Sequence, residues 1–299
     1  MQCPKCHSEN EADATECLKC GIVFAKYVAI PLEPTAEADV SPEEALAIPL
    51  DSSAEARREL WDRALALPGA LIAARFMVKI APGPVRLLTM WVHELGHAVT
   101  AWLCGFGALP GPWYTSVSDQ RSAGFALGIA ALAGFGGYYG WQKRRYSLVV
   151  GCALIVVLQI AGWRMYSDQA QALIIFGGDA GCFVLGSVLM LTFYASRDTA
   201  LYQNSLRWGF LGIGAAAFMD AYATWTGGLA TIPFGENENG MSDPSVLTEV
   251  YPWSVQTLIQ RYDRLAAFCL TVLAIVYLSG LASAAISARD TMGGDSGKP

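Results

Sequence analysis

From about residue 86 onward the chain runs in long apolar blocks separated by short polar or glycine-rich stretches. The blocks lie at about 86–104, 122–141, 147–163, 171–195, 208–228 and 264–288. At ~1.5 Å per helical residue, segments of this size cross a hydrocarbon core of ~30 Å. The pattern predicts an all-α integral membrane helical bundle of about six transmembrane helices over residues 83–290. The third block is short and also suits a re-entrant segment. Residues 57–82 predict a further helix, with Ile72, Phe76 and Ile80 four apart and Arg75 and Lys79 on a neighbouring stripe. This pattern suits an interfacial helix lying on a membrane, or a helix packed against the bundle. Residues 28–56 hold four prolines and seven acids, bury too little to fold, and read as a disordered linker. Residues 1–27 form a compact cysteine module, and 291–299 a flexible tail.

Composition sharpens this outline. Of the 299 residues, 54% are hydrophobic and 15% charged, and mean hydropathy is +0.35, more apolar than a soluble domain. A net charge of −6 and a pI of about 5.1 argue against nucleic acid as a partner. The first residues lack the apolar core of a signal peptide, so insertion would rest on internal spans. Six spans place both termini on one side, together with Lys143, Arg144, Arg145, Arg197 and Arg207. Arg121, Arg164 and Arg261 fall on the other side. The excess predicts cytoplasmic termini and a multi-pass protein of a bacterial inner membrane. The loop 229–263 would then face outward, with Pro233 to Gly240 as a solvated turn.

The cysteines fall into two groups. Cys3, Cys6, Cys17 and Cys20 form two C-x-x-C pairs, the spacing of a zinc ribbon whose four thiolates close a structural zinc (Zn2+) site. The alternatives are a redox dithiol, or His7 as a substitute ligand. A closed site has no open position, so the ribbon is expected to be non-catalytic and to serve a protein partner or a sensing role. Cys104, Cys152, Cys182 and Cys269 sit in apolar stretches and read as buried small hydrophobes.

The chemistry concentrates in His93-Glu94-Leu95-Gly96-His97, an H-E-x-x-H motif inside the first apolar block. On a helix, residues four apart share a face, so His93 and His97 can hold one zinc, with Glu94 as general base on a water. A catalytic zinc needs a third protein ligand. The chain has only three histidines, and Leu103 stands where a metzincin's third would be. Two intramembrane aspartates remain. Asp179 lies among Gly177, Gly178 and Gly181, which allow close helix approach; Asp220 has bulky neighbours and suits a supporting role. Asp179 is favoured as ligand. The alternative for either aspartate is a buried carboxylate bonded to a Ser, Tyr or Trp of another helix.

A membrane-embedded His93-Glu94-x-x-His97 followed by an intramembrane Asp179 near glycines resembles the site-2 protease family of intramembrane zinc metalloproteases. The likeness covers roughly residues 86–195. It implies a catalytic zinc on His93, His97 and Asp179, water activation by Glu94, and cleavage of transmembrane segments of other proteins in the lipid bilayer. In that family Gly usually follows the aspartate directly; here Ala180 intervenes before Gly181, and no segment resembles a PDZ domain.

After the motif, residues 105–112 break the helix and residues 113–118 favour a strand. Such a strand can pair with an unwound substrate by edge addition, or form an ordinary external loop. The competing function is a non-catalytic membrane scaffold that retains the zinc helix, with the ribbon recruiting partners.

Overall fold

The computed structural model describes residues 1–3, 8–11, 14–24, 52–196, 199–237 and 240–294. Cys6, His7, Arg197, nearly all of the linker and the last residues of the tail lie outside them. The chain divides into two units, Met1–Leu50 and Asp51–Pro299.

In the first unit the described cysteines are held by backbone hydrogen bonds. Cys3 N–H donates to Ser8 O at 2.9 Å, and Cys17 N–H to Ile22 O at 2.9 Å. Gly21, at φ +69°, takes the left-handed conformation that a knuckle turn needs after its last cysteine.

The second unit is helical. Helix α1 (Ser52–Ile80) meets α2 (Pro82–Leu103) at Ala81. The linker's last residues are therefore helical, and the helix expected over 57–82 ends two residues early. Pro82 lacks the N–H that would extend α1, and it suits the first turn of α2. An antiparallel hairpin follows, β1 (Phe106–Pro110) and β2 (Thr115–Arg121). Residues 106–110, expected only to break the helix, thus form a strand of their own, entered through Gly105 at φ +83°.

Next come α3 (Ala123–Gln142), α4 (Tyr146–Trp163) and α5 (Ser167–Leu191), the last extended by a 3-10 turn to Tyr194. The short α6 (Ala200–Gln203) precedes α7 (Leu206–Thr226). A two-residue ladder, β3 (Glu236–Asn237) with β4 (Gly240–Met241), leads to the single turn α8 (Asp243–Ser245) and a π-helical turn, Val246–Val250. The long α9 (Val255–Gly294) ends the described chain.

Each apolar block thus becomes a helix. Among the described residues four helices (α3, α4, α5 and α9) are long and apolar enough to cross a membrane. Arg86, His93, Glu94 and His97 make α2 more polar. Around α5 pack α2, α7 and α9, with Phe183, Phe193, Phe218, Leu258 and Tyr262 fully buried between them. By contrast, α3 and α4 pack mainly on each other, with only 17% of each span buried and apolar side chains such as Leu132, Phe135, Ile155 and Val157 facing out. A two-helix hairpin with that surface suits lipid rather than water.

Helix α1 buries Leu67 and Ala74 against the bundle while Ile72, Phe76 and Ile80 remain exposed. It packs on α7 and α9 and also carries an apolar outer face. Near its start, Glu59 accepts hydrogen bonds from Arg207 Nη1 (3.1 Å), Arg63 Nε (2.7 Å) and Tyr202 Oη (2.7 Å). The Arg207 guanidinium also lies over the Tyr202 ring, 4.0 Å from its centroid. This buried ion pair ties α1 to the start of α7.

Candidate metal centre

The H-E-x-x-H residues lie on the inner face of α2, where Glu94 is 4% and His97 8% exposed. The face is set by contact with α5. A Cβ on Gly96 would collide with the backbone oxygen of Gly177, and one on Gly181 with the Cα of Gly96. Only glycines permit this approach, and it brings Asp179 beside His93.

Both imidazoles are oriented through Nδ1. His97 Nδ1 lies 2.7 Å from Ile174 O, which accepts only, so Nδ1 carries the proton. His93 Nδ1 lies 3.0 Å from Asp179 Oδ1. Asp179 is fixed in turn by Trp225, whose Nε1–H donates to Oδ2 at 2.8 Å. Trp225 stacks on Tyr262 at 3.9 Å between centroids, and Tyr262 stacks on Phe176 at 4.3 Å. With both Nδ1 atoms donating, each Nε2 presents a lone pair to the same space, and the two Nε2 atoms are 3.1 Å apart.

Into that space comes Asp243, the first residue of α8. Its Oδ2 lies 3.0 Å from His93 Nε2 and 3.1 Å from His97 Nε2. With both imidazoles neutral, the three acceptor atoms about 3 Å apart repel one another, and a metal ion among them, like a proton on one of them, relieves this. A tetrahedral zinc with bonds of about 2.0–2.1 Å separates its ligand atoms by about 3.3 Å. Gly178 leaves room beside them: a Cβ there would come within 2.5 Å of His93 Nε2 and 2.6 Å of His97 Nε2. The residues present therefore fit a metal ion.

Glu94, with one carboxylate oxygen within 4.8 Å of the histidine donors, is held from the hairpin. Thr115 Oγ1 lies 2.7 Å from Glu94 Oε2 and 2.8 Å from Glu94 O. Cys182 stands near His93 and Asp179 on α5, close enough to join a metal-binding group. A cavity of about 590 Å³ opens above the histidines. Arg86, Trp113, Thr115, Asp220, Met241 and Pro244 are among its lining residues.

The expected residues thus separate. His93, His97 and Glu94 come together. Asp179, expected as the third ligand, lies against the far nitrogen of His93. Asp220 accepts from Thr89 Oγ1 at 2.7 Å on the cavity wall. Asp243 and Thr115 were not singled out from the sequence. Within the 229–263 loop, Ser245 and Leu247 beside Asp243 are fully buried.

In the N-terminal unit Cys3, Cys17 and Cys20 form a second group able to hold a metal, with Cys3 and Cys20 sulfurs 3.7 Å apart. Cys6 lies outside the described residues. A hydrogen bond with Ser8 at 3.3 Å, helped by backbone N–H groups of Cys20 and Lys19 and opposed by burial, lowers the Cys17 thiol to about 5.

Comparison of the chain with protein-family models, with curated proteins and with solved structures returned no match.

Proposed function

We propose that the protein is a membrane-embedded zinc metalloprotease that hydrolyses peptide bonds in segments of other membrane proteins. The observation that carries this reading is the pair of Nε2 atoms 3.1 Å apart, both freed by hydrogen bonds at Nδ1, with the Glu94 carboxylate beside them. A scaffold needs no such base. The H-E-x-x-H pattern and the apolar helices support it further, in keeping with the resemblance to site-2 proteases.

A bound zinc supplies Lewis acidity, which acidifies water and polarises a substrate carbonyl. Glu94 accepts the water's proton on the oxygen not engaged by Thr115 and later gives it to the leaving amine. Thr115 holds the carboxylate in place. Asp179 and Ile174 O keep both imidazoles in the tautomer that leaves Nε2 unprotonated. Among the described residues β2 pairs only with β1, and its free edge offers main-chain groups to an unwound, extended substrate. In the same reading six helices cross a bacterial inner membrane with cytoplasmic termini. Cys3, Cys6, Cys17 and Cys20 hold a structural zinc in a ribbon that engages a partner.

The test compares cells expressing the wild type with cells expressing Glu94→Gln, by quantitative mapping of new peptide termini in membrane proteins. Both proteins should purify with the same zinc content. Cleaved membrane segments should appear with the wild type only. Identical termini in both, with zinc retained, would defeat the protease reading and favour the scaffold.

A further inference from the structure

Asp243 comes from the loop between α7 and α9, 150 residues after His93 in the chain. Its Oδ2 and the two Nε2 atoms form a nearly equilateral triangle, with edges of 3.0, 3.1 and 3.1 Å. Asp179 cannot share that triangle through His93, because it contacts Nδ1 and the two ring nitrogens point away from each other. Its second oxygen is already taken by Trp225. A carboxylate at Nδ1 is the arrangement by which an outer partner orients a metal-bound imidazole.

Asp243 is delivered by a segment with anchors of its own. Gly235 N–H donates to Ser245 Oγ at 2.8 Å, Leu247 is fully buried, and Tyr251 Oη donates to Gln171 Oε1 at 3.2 Å. The π-helical turn begins directly after α8, a widening often found at functional sites.

We propose that Asp243 is the third protein ligand of the metal, that Asp179 orients His93 from its far side, and that metal binding therefore fastens the 240–250 segment over the cavity. The proposal rests on the metal-centre part of the reading above and is independent of what the protein cleaves. It moves the third ligand from the helix bundle to a loop. Loading the site and covering it become one event, and three protein ligands would leave a bound zinc open to water.

The experiment uses the full chain with Cys3, Cys6, Cys17 and Cys20 replaced by serine, so that only the membrane-domain site is counted. Zinc affinity is measured by competition with a chelator in detergent, alongside thermal melting to verify folding. The expected result is one zinc per chain. Asp243→Ala should weaken binding by more than the roughly 10–100-fold that loss of an outer partner costs, Asp179→Asn should fall within that range, and Asp220→Asn should leave binding unchanged. Two further readouts do not depend on an alanine variant. Cobalt-loaded Asp243→Cys should show a thiolate-to-cobalt charge-transfer band absent from the cobalt-loaded parent. Amide hydrogen exchange across 240–250 should slow on adding zinc.

Zinc binding with unchanged affinity in Asp243→Ala, no new band in Asp243→Cys and loss of binding in Asp179→Asn would overturn the proposal and leave the metal centre standing. No zinc in the well-folded parent would overturn both the proposal and the hydrolase reading.

Discussion

Thr115 on β2 places its hydroxyl 2.7 Å from Glu94 Oε2 and 2.8 Å from Glu94 O, so one proton from the hairpin holds both the side chain and the backbone of the candidate base. Thr115→Val keeps the shape and removes the donor. We expect kcat on a cleaved substrate to drop about tenfold with KM nearly unchanged, because the group held is one that acts in the transition state. Thr115→Ser should restore the rate. Steady-state kinetics of the three proteins, with zinc content measured in parallel, tests this. An equal loss in the Ser and Val variants would count against the positioning role.

The glycines facing α2 make two separable predictions. At Gly181 a Cβ meets the backbone of Gly96, which has nowhere to go, so Gly181→Ala should force α2 and α5 apart. A cost of about 1–3 kcal/mol is typical of overpacking and should show as a clear fall in melting temperature in detergent. At Gly178 the Cβ meets the imidazoles instead, and side chains can shift. Gly178→Ala should therefore lose zinc with a smaller effect on melting. Metal analysis and melting of both variants separate the two outcomes.

Trp225→Phe retains a ring to stack on Tyr262 and removes the N–H that Asp179 accepts. A hydrogen bond to a charged group contributes about 1.5–3 kcal/mol, so the loss should weaken the orientation of His93. Zinc affinity should fall about tenfold, with little change in substrate KM. Chelator competition on the variant reads this directly.

Glu59 gives a pH prediction away from the metal. Burial pushes its carboxyl up, but the hydrogen bonds from Arg207, Arg63 and Tyr202 outweigh it and hold the pKa below the ordinary 4.5. The folded state therefore binds fewer protons than the unfolded state between the two values, and its extra stability is fully present above about pH 4.5. That stability is lost as the pH falls through the lower, folded value. Melting curves of the wild type should drop below pH 4.5 more steeply than those of Glu59→Gln. At neutral pH the variant should be less stable by about 3 kcal/mol, since among the described residues Arg207 is left with Asp62, at 3.8 Å, as its charged partner.

The helices were legible because apolarity over twenty residues leaves few alternatives. The histidine pair was legible because a spacing of four on a helix fixes a shared face. The glycines around Asp179 likewise announced the close contact with α2. What could not be read was which acid meets the histidines. Asp243 looks no different from Glu236 or Glu249 in the same polar stretch, because the path of a loop is set by what buries Leu247 and Ser245. Two signals were available. The connection at 229–263 is longer than the ~12–15 residues of an ordinary loop, and Ser242-Asp243-Pro244 reads as the start of a helical turn. Thr115 carried no signal at all, since only the β1–β2 register aims it at Glu94.

The walls of the cavity are drawn from Arg86 through Val246. A ribosome must therefore make that whole stretch, and the membrane must receive several helices, before the last wall can close. A nascent chain bearing only the histidine helix holds two imidazoles and a carboxylate without an enclosure. Order of synthesis alone thus delays assembly of the centre until most of the bundle is in place.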